Sequence, residues 1–179
     1  MIPFFKKMAG GGQRPPKVNL SEVFWSWLGA FLGITPVAYL NYNLLSGSDF
    51  VYIIGSFGAS AVLIYGAVRS PLAQPRNLIG GHLLSAFVGV ACWQLFHPFP
   101  WFAAAFSVAT AIALMHVTQT LHPPGGATAL IAVIGSEKIH ELGFWYMLVP
   151  VGLGVVIMLI VALAINNMAS RRKYPEFWF

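Results

Sequence analysis

Charge is what this chain has least of. Only 5 Asp and Glu accompany 10 Lys and Arg, and charged residues fill 8% of its 179 positions. A soluble domain carries about 25%. From Asn77 to Ser136 there is no Asp, Glu, Lys or Arg at all. The shortage excludes an ordinary solvated surface. With 58% hydrophobic residues and a mean hydropathy of +0.73, it places the chain in a bilayer. Cysteine is nearly absent too. Cys92 stands alone, which excludes an internal disulfide and offers no metal-site spacing, so it reads as packing. There is no P-loop, no dinucleotide fingerprint and no HExxH zinc motif, hence no cofactor or metal is expected. No carboxylate lies inside an apolar stretch; Glu22 and Asp49 sit at edges. A cation path or a carboxylate proton relay would need one. Mid-span Lys and Arg are missing as well, which argues against tight binding of a multivalent anion. A signal peptide is not expected, because the first long apolar run begins near Phe24 and no small-residue cleavage site follows it.

What is present is apolar sequence in blocks. Five stretches stand out: Phe24–Leu40, Phe50–Val68, Leu78–Phe96, Trp101–Met115 and Phe144–Ile165. A sixth, Gly126–Ile134, is too short to span alone, since a crossing takes about 20 residues. Aromatic residues such as Trp25, Trp27, Tyr39, Tyr42 and Trp101 cluster at the block ends, as interface belts do. The net charge of +5 does not point to nucleic acid, because the basic residues flank apolar blocks, where they direct topology. Lys6, Lys7, Arg14 and Lys17 lie in the N-terminal tail, Arg69 and Arg76 in one loop, and Arg171, Arg172 and Lys173 after the last block. These are expected in the cytoplasm, with both termini inside a bacterial plasma membrane. The domain division follows: a basic tail over 1–22, a membrane domain over 23–167, and a second cytoplasmic tail over 168–179.

Two segments resemble each other. In "SFGASAVLI" and "PGGATALIA", Gly58-Ala59-Ser60-Ala61 aligns with Gly126-Ala127-Thr128-Ala129. Each copy has one apolar block before it and one after, which suggests an internal repeat, about 24–96 and 101–166. The charge rule gives the two triplets opposite orientation. The expected class is therefore an all-α polytopic membrane protein of about five transmembrane helices plus a short broken or re-entrant helix. In an inverted repeat of this kind, two half-helix N-termini meet near the midplane and hold the solute. Helix N-termini present unpaired N–H groups and partial positive charge, which favours a small anion. Pro123 and Pro124 suit a first helical turn, and Gly125 and Gly126 allow close approach to the backbone. The candidate binding residues are Ser56, Phe57, Gly58, Ala59 and Ser60 on one side. His122, Pro123, Pro124, Gly125, Gly126, Ala127 and Thr128 form the other. Residue chemistry alone leaves open a weakly held monovalent anion or a small neutral solute.

Three histidines are candidates for a gate or proton site: His122, His116 and His82. An unperturbed imidazole titrates at about 6.5, so it can load and unload a proton near neutrality. The competing roles are structural. His122 can cap the helix start or bond a loop carbonyl, and His82 and His116 can be satisfied packing residues. His97 and His140 read as loop residues. Gly29 and Gly33 form a GxxxG pair, for packing within the chain or for contact with a second copy, and a homo-oligomer is expected.

"TQTLHPPGGATAL", "SFGASAVLIYG" and "SPLAQPRNLIGGHLLSAFVGV" together resemble the HPP family of integral membrane proteins, over about Trp25 to Ile165. The residues that name the family fall on His122, Pro123 and Pro124. The resemblance implies a small polytopic protein and, through some cyanobacterial and plastid relatives, nitrite transport. The reading is thus a transporter or channel for a nitrite-like anion, with the lipid bilayer as its surroundings. Alternatives are a channel for a small neutral solute and a membrane-embedded regulatory module. An intramembrane enzyme ranks last, because a nucleophile–base pair is hard to assemble from these residues beyond Ser or Thr near His122.

Overall fold

Proline opens a run of consecutive helical elements in the middle of the chain. The computed structural model describes residues 7–8, 12, 14, 16–44 and 51–179; expectations for Lys6 and for loop residues 45–50 fall outside that range. Among the described residues every regular element is helical. Helix α1 (Leu20–Leu44) starts where the Asn19 side chain accepts the Glu22 N–H at 2.9 Å, an ordinary N-cap bond. Helix α2 (Val51–Ala61) widens into a π-helical turn, Val62–Gly66. A 3₁₀ turn, Pro71–Ala73, leads into α3 (Pro75–Phe96), then α4 (Pro100–Val117) and α5 (Pro123–Ile134). Short helix α6 (Glu137–Leu142) and a π segment (Met147–Gly152) precede α7 (Leu153–Met168). Pro71, Pro75, Pro100 and Pro123 each lie in a first turn, where proline's missing N–H costs nothing.

The all-helical polytopic class holds, with a different count. Among the described residues four helices are long and apolar enough to cross a membrane: Leu20–Tyr42, Pro75–Phe96, Pro100–Val117 and Met147–Met168. Gly55–Gly66 and Pro123–Ile134 are shorter apolar helices. The described part of the Phe50–Val68 block is helical over Val51–Gly66, shorter than any of these four and below the length of a regular crossing. The order long, short, long occurs twice along the chain. The aligned segments nevertheless occupy unlike places. Gly58–Ala61 closes α2, whereas Gly126–Ala129 spans the middle of α5.

Helix α3 is central. Half (50%) of its apolar length is buried, against 17% for α1 and 22% for α4. It packs on α5 through a seam of small residues. A Cβ added to Gly89 would fall 2.5 Å from the Ala129 carbonyl oxygen. One added to Gly81 would fall 2.5 Å from His122 Cβ, and one on Gly125 would fall 2.8 Å from the Gly81 oxygen. Gly81, Ser85 and Gly89 repeat every four residues, so the two backbones meet along one stripe. The other glycine pair is settled by Tyr65. Its buried ring lies across Gly29 and Gly33, with a Cβ on Gly29 falling 2.6 Å from Tyr65 Cδ1. The GxxxG stripe is therefore filled from within the chain and does not offer a free face to a second copy.

Three segments meet at one end of the bundle. The Arg172 guanidinium pairs with Glu22 at 2.9 Å and also donates to Ser26, to Asn166 and to the Tyr65 carbonyl. The Tyr174 hydroxyl donates to the Ala73 carbonyl at 2.8 Å, and Gln74 bonds the backbone of Glu176, Val68 and Ser70. The start of α1, the 69–76 loop and the C-terminal tail thus lie together, as expected for segments on one side of a membrane. That tail is packed down and is no loose extension. At the other end, Phe87 stacks on Phe144 and Trp93 on His140.

Candidate functional site

The buried polar atoms converge between α2, α3 and α5. Ser60 is near the C-terminus of α2, His82 on α3, His122 just before α5, and Thr128 in its second turn. All four are 0% exposed. Ser60 Oγ lies 2.7 Å from His82 Nε2 and 2.9 Å from His122 Nε2, so one hydroxyl bridges two imidazoles. His82 Nδ1 lies 2.7 Å from Thr128 Oγ1. His122 Nδ1 lies 2.8 Å from the Leu72 carbonyl oxygen, which can only accept, so this nitrogen carries a hydrogen. The rings of His82 and His122 are 5.0 Å apart, and Phe57 closes the far side of His82 at 5.5 Å. The Tyr146 hydroxyl donates to the Thr128 carbonyl at 3.2 Å, fixing the α5 turn from the α7 side. Ser85, on the α3 seam, bonds the Met115 sulfur. Among the described residues no three His, Cys, Asp or Glu side chains gather as metal ligands.

Helical periodicity explains the grouping. Ser56, Phe57 and Ser60 share one buried face of α2, while Ala59 points outward and Gly58 is half-buried. On α5, Pro124, Gly125 and Thr128 face inward, Gly126 and Ala127 are half-buried, and Pro123 is exposed. Ala59 and Pro123 are therefore not in the cluster. His116 is not either: it is exposed near the end of α4. His140 lies in α6 and not in a loop, with its ring 3.7 Å from that of Trp93. The Leu72 carbonyl and Tyr146 are additions that no sequence motif marked. Gly81 and Gly89 did carry a signal, small residues at a spacing of four beside Ser85.

Three expectations change. The pairing of helix N-termini does not occur, since Ser56–Ser60 lie in the closing turns of α2 and only α5 presents its start. The backbone cradle also shrinks. Pro123 and Pro124 have no N–H, and the Gly125 N–H is bonded to the His122 carbonyl at 2.8 Å. Gly126 and Ala127 come after the first three helical positions, where a helix's N–H groups find internal partners. The polar groups of this site are side chains. His122 makes no side-chain cap bond; it bonds the loop carbonyl. The depth differs too. His82 lies about 10 Å along α3, a helix about 33 Å long at about 1.5 Å per residue, so the cluster sits nearer the 69–76 loop than the midplane.

Comparison with known proteins adds lineage. The family model described as "HPP, transmembrane region" matches residues 15–175. Two proteins of Dictyostelium discoideum, each described only as a transmembrane protein, are 47% identical, over 99% and 100% of this chain. The chain spans 58% and 64% of their respective lengths. No solved structure matches.

Proposed function

This chain belongs to the HPP family of integral membrane proteins, and on that footing we propose that it transports a small monovalent anion, with nitrite as the first candidate. The observation that carries this reading is the cluster of Ser60, His82, His122 and Thr128, polar groups sealed inside an otherwise apolar membrane domain. Polar groups at such a place are costly and mark solute or proton paths more often than plain packing. Their full burial supports a carrier over an open channel, because a continuous pore would leave them wetted. Small size and single charge follow from the lack of mid-span Lys and Arg. Nitrite itself comes from the family resemblance. The orientation with both termini in the cytoplasm comes from the basic segments that meet at one end. The two relatives are eukaryotic, so family membership does not single out a bacterial plasma membrane.

A second reading has one observation behind it. Ser60 within 2.9 Å of two imidazoles resembles a nucleophile with its base. Transport remains the better account. Ser60 is 0% exposed, and its oxygen is shared between two rings, so no carbonyl can approach it. The test is a liposome flux panel of nitrite, nitrate, formate, chloride and water with the purified protein. Nitrite or formate movement above protein-free liposomes supports the reading; a flat panel removes it.

A further inference from the structure

The donor and acceptor capacities of the groups around Ser60 assign a direction to every hydrogen in the neutral cluster, and from that direction we infer a proton relay. Leu72 O can only accept, so His122 Nδ1 donates to it at 2.8 Å. In a neutral His122 the bare Nε2 must accept, so Ser60 donates to it at 2.9 Å. Ser60 has one hydrogen, so at 2.7 Å it accepts from His82 Nε2–H. The bare His82 Nδ1 then accepts from the Thr128 hydroxyl at 2.7 Å. Four bonds run head to tail from Thr128 to Leu72 with no charge present. The two contacts left without a hydrogen are the long ones, Ser60 to Ser56 O at 3.2 Å and Thr128 to Pro124 O at 3.5 Å.

One added proton reverses the chain. A proton reaching the Thr128 oxygen sends the Thr128 hydrogen to His82 Nδ1. The His82 Nε2 hydrogen passes to Ser60, and the Ser60 hydrogen passes to His122 Nε2. His122 now carries a hydrogen on each nitrogen and one positive charge. His82 has changed tautomer, and the Thr128 hydroxyl turns to Pro124 O. Each bond broken is matched by one formed, and nothing is oxidised. Release to the 69–76 loop end breaks the His122 Nδ1–H bond to the Leu72 carbonyl and passes that proton to solvent water beside half-buried Leu72.

The charge inventory gives this relay its use. The groups facing the two rings are Ser60 and Phe57 from α2, Thr128 from α5 and the Leu72 carbonyl, with Tyr146 one bond further on. None is charged. Residues 51–66, 77–136 and 147–168 contain no Asp, Glu, Lys or Arg; the ionic groups of the packed helices are Glu22 and Arg76 at helix starts and Glu137, Lys138 and Glu141 in α6, beyond the far end of α5. An anion entering this site alone would be buried without a partner. The proton on His122 supplies that partner, so anion and proton cross together and no net charge moves. This inference rests on the transport reading above.

Two measurements on the full chain in bilayers test it. In ¹⁵N-histidine NMR, His122 is expected as the Nδ1–H and His82 as the Nε2–H tautomer. Acidification should charge His122 and switch His82 to Nδ1–H in one step. In nitrite-loaded liposomes with an internal pH dye, one proton should accompany each nitrite, with a rate indifferent to a potassium–valinomycin potential. Thr128→Val should reduce both fluxes to the protein-free rate, and Thr128→Ser should restore them. If His82 keeps its tautomer when His122 charges, the relay is wrong even where nitrite moves. Nitrite flux driven by the potential without protons also overturns it, and leaves the transport reading intact. A tautomer switch without flux of any tested anion removes the transport reading and the coupling with it.

Discussion

Adjacent glycines at the start of α5 should respond in opposite ways to the same change. A Cβ on Gly125 would lie 2.7 Å from Ser85 Oγ and 2.8 Å from the Gly81 carbonyl oxygen. Ordinary carbon–oxygen contacts are several tenths of an ångström longer. Ser85 can rotate, but Gly81 O is backbone inside α3, so α5 has to move away. Overpacking of this kind costs about 1–3 kcal/mol. Alanine's better helix propensity returns up to about 1 kcal/mol. On Gly126 the nearest atom is Val108 Cγ1 at 3.8 Å, so Gly126→Ala keeps the propensity gain without the clash. The propensity gain is common to both, so the two variants should differ by the overpacking cost, about 1–3 kcal/mol, or about 2–12 °C in Tm for a chain of this size. Thermal unfolding in one detergent, with both variants side by side, reads this directly. Gly125→Ala should also displace His122 from Ser60 and lower nitrite flux, while Gly126→Ala keeps it. Equal Tm values for the two variants would refute the packing seam. A lower Tm for Gly126→Ala would refute it more strongly.

Three further outcomes follow from separate parts of the molecule. Arg172→Ala should lower stability by about 3 kcal/mol, near the low end for broken buried pairs because Glu22 is a third exposed. Arg172→Lys should recover only part of that, since an ammonium cannot serve acceptors spread around a planar fork; chemical unfolding of both variants checks it. Gly33→Ala should destabilise strongly, and Tyr65→Ala in the same chain should relieve most of the effect. A double-mutant cycle in which the two changes simply add would remove the Tyr65–Gly33 contact from the account. A fluorophosphonate probe should leave Ser60 unlabelled in the folded protein; labelling that His122→Ala abolishes would favour the hydrolase reading instead.

Much of the architecture was legible because it depends on composition. Apolar blocks and basic flanks placed α1, α3, α4 and α7 with few alternatives. Phe50–Val68 misled because hydropathy does not register where the helix ends, and the described helical stretch closes at Gly66. The site was legible in its parts and not in its assembly. Ser60, His82, His122 and Thr128 were all candidates, yet Ser60 and His122 are 62 positions apart, and only the packing of α2 on α5 joins them. His116 has the same chemistry but sits on an exposed face of α4. The expected amide cradle failed for a local reason, since two prolines remove the N–H groups that an anion would use. "HPPGGATAL" therefore contributes a placed imidazole, a hydroxyl at Thr128 and a flat glycine surface for α3.

The central claim is that solute passes through the Ser60-bridged histidine pair. Nitrite flux into liposomes by wild type and Ser60→Ala, each normalised to folded protein by size-exclusion chromatography, tests it most directly. Removing the hydroxyl leaves two buried imidazole nitrogens unpaired, at about 1–3 kcal/mol each, so a fall in thermal stability is expected alongside the loss of flux. The account predicts wild-type flux well above protein-free liposomes and Ser60→Ala flux equal to them. Wild-type rates in folded Ser60→Ala would contradict it.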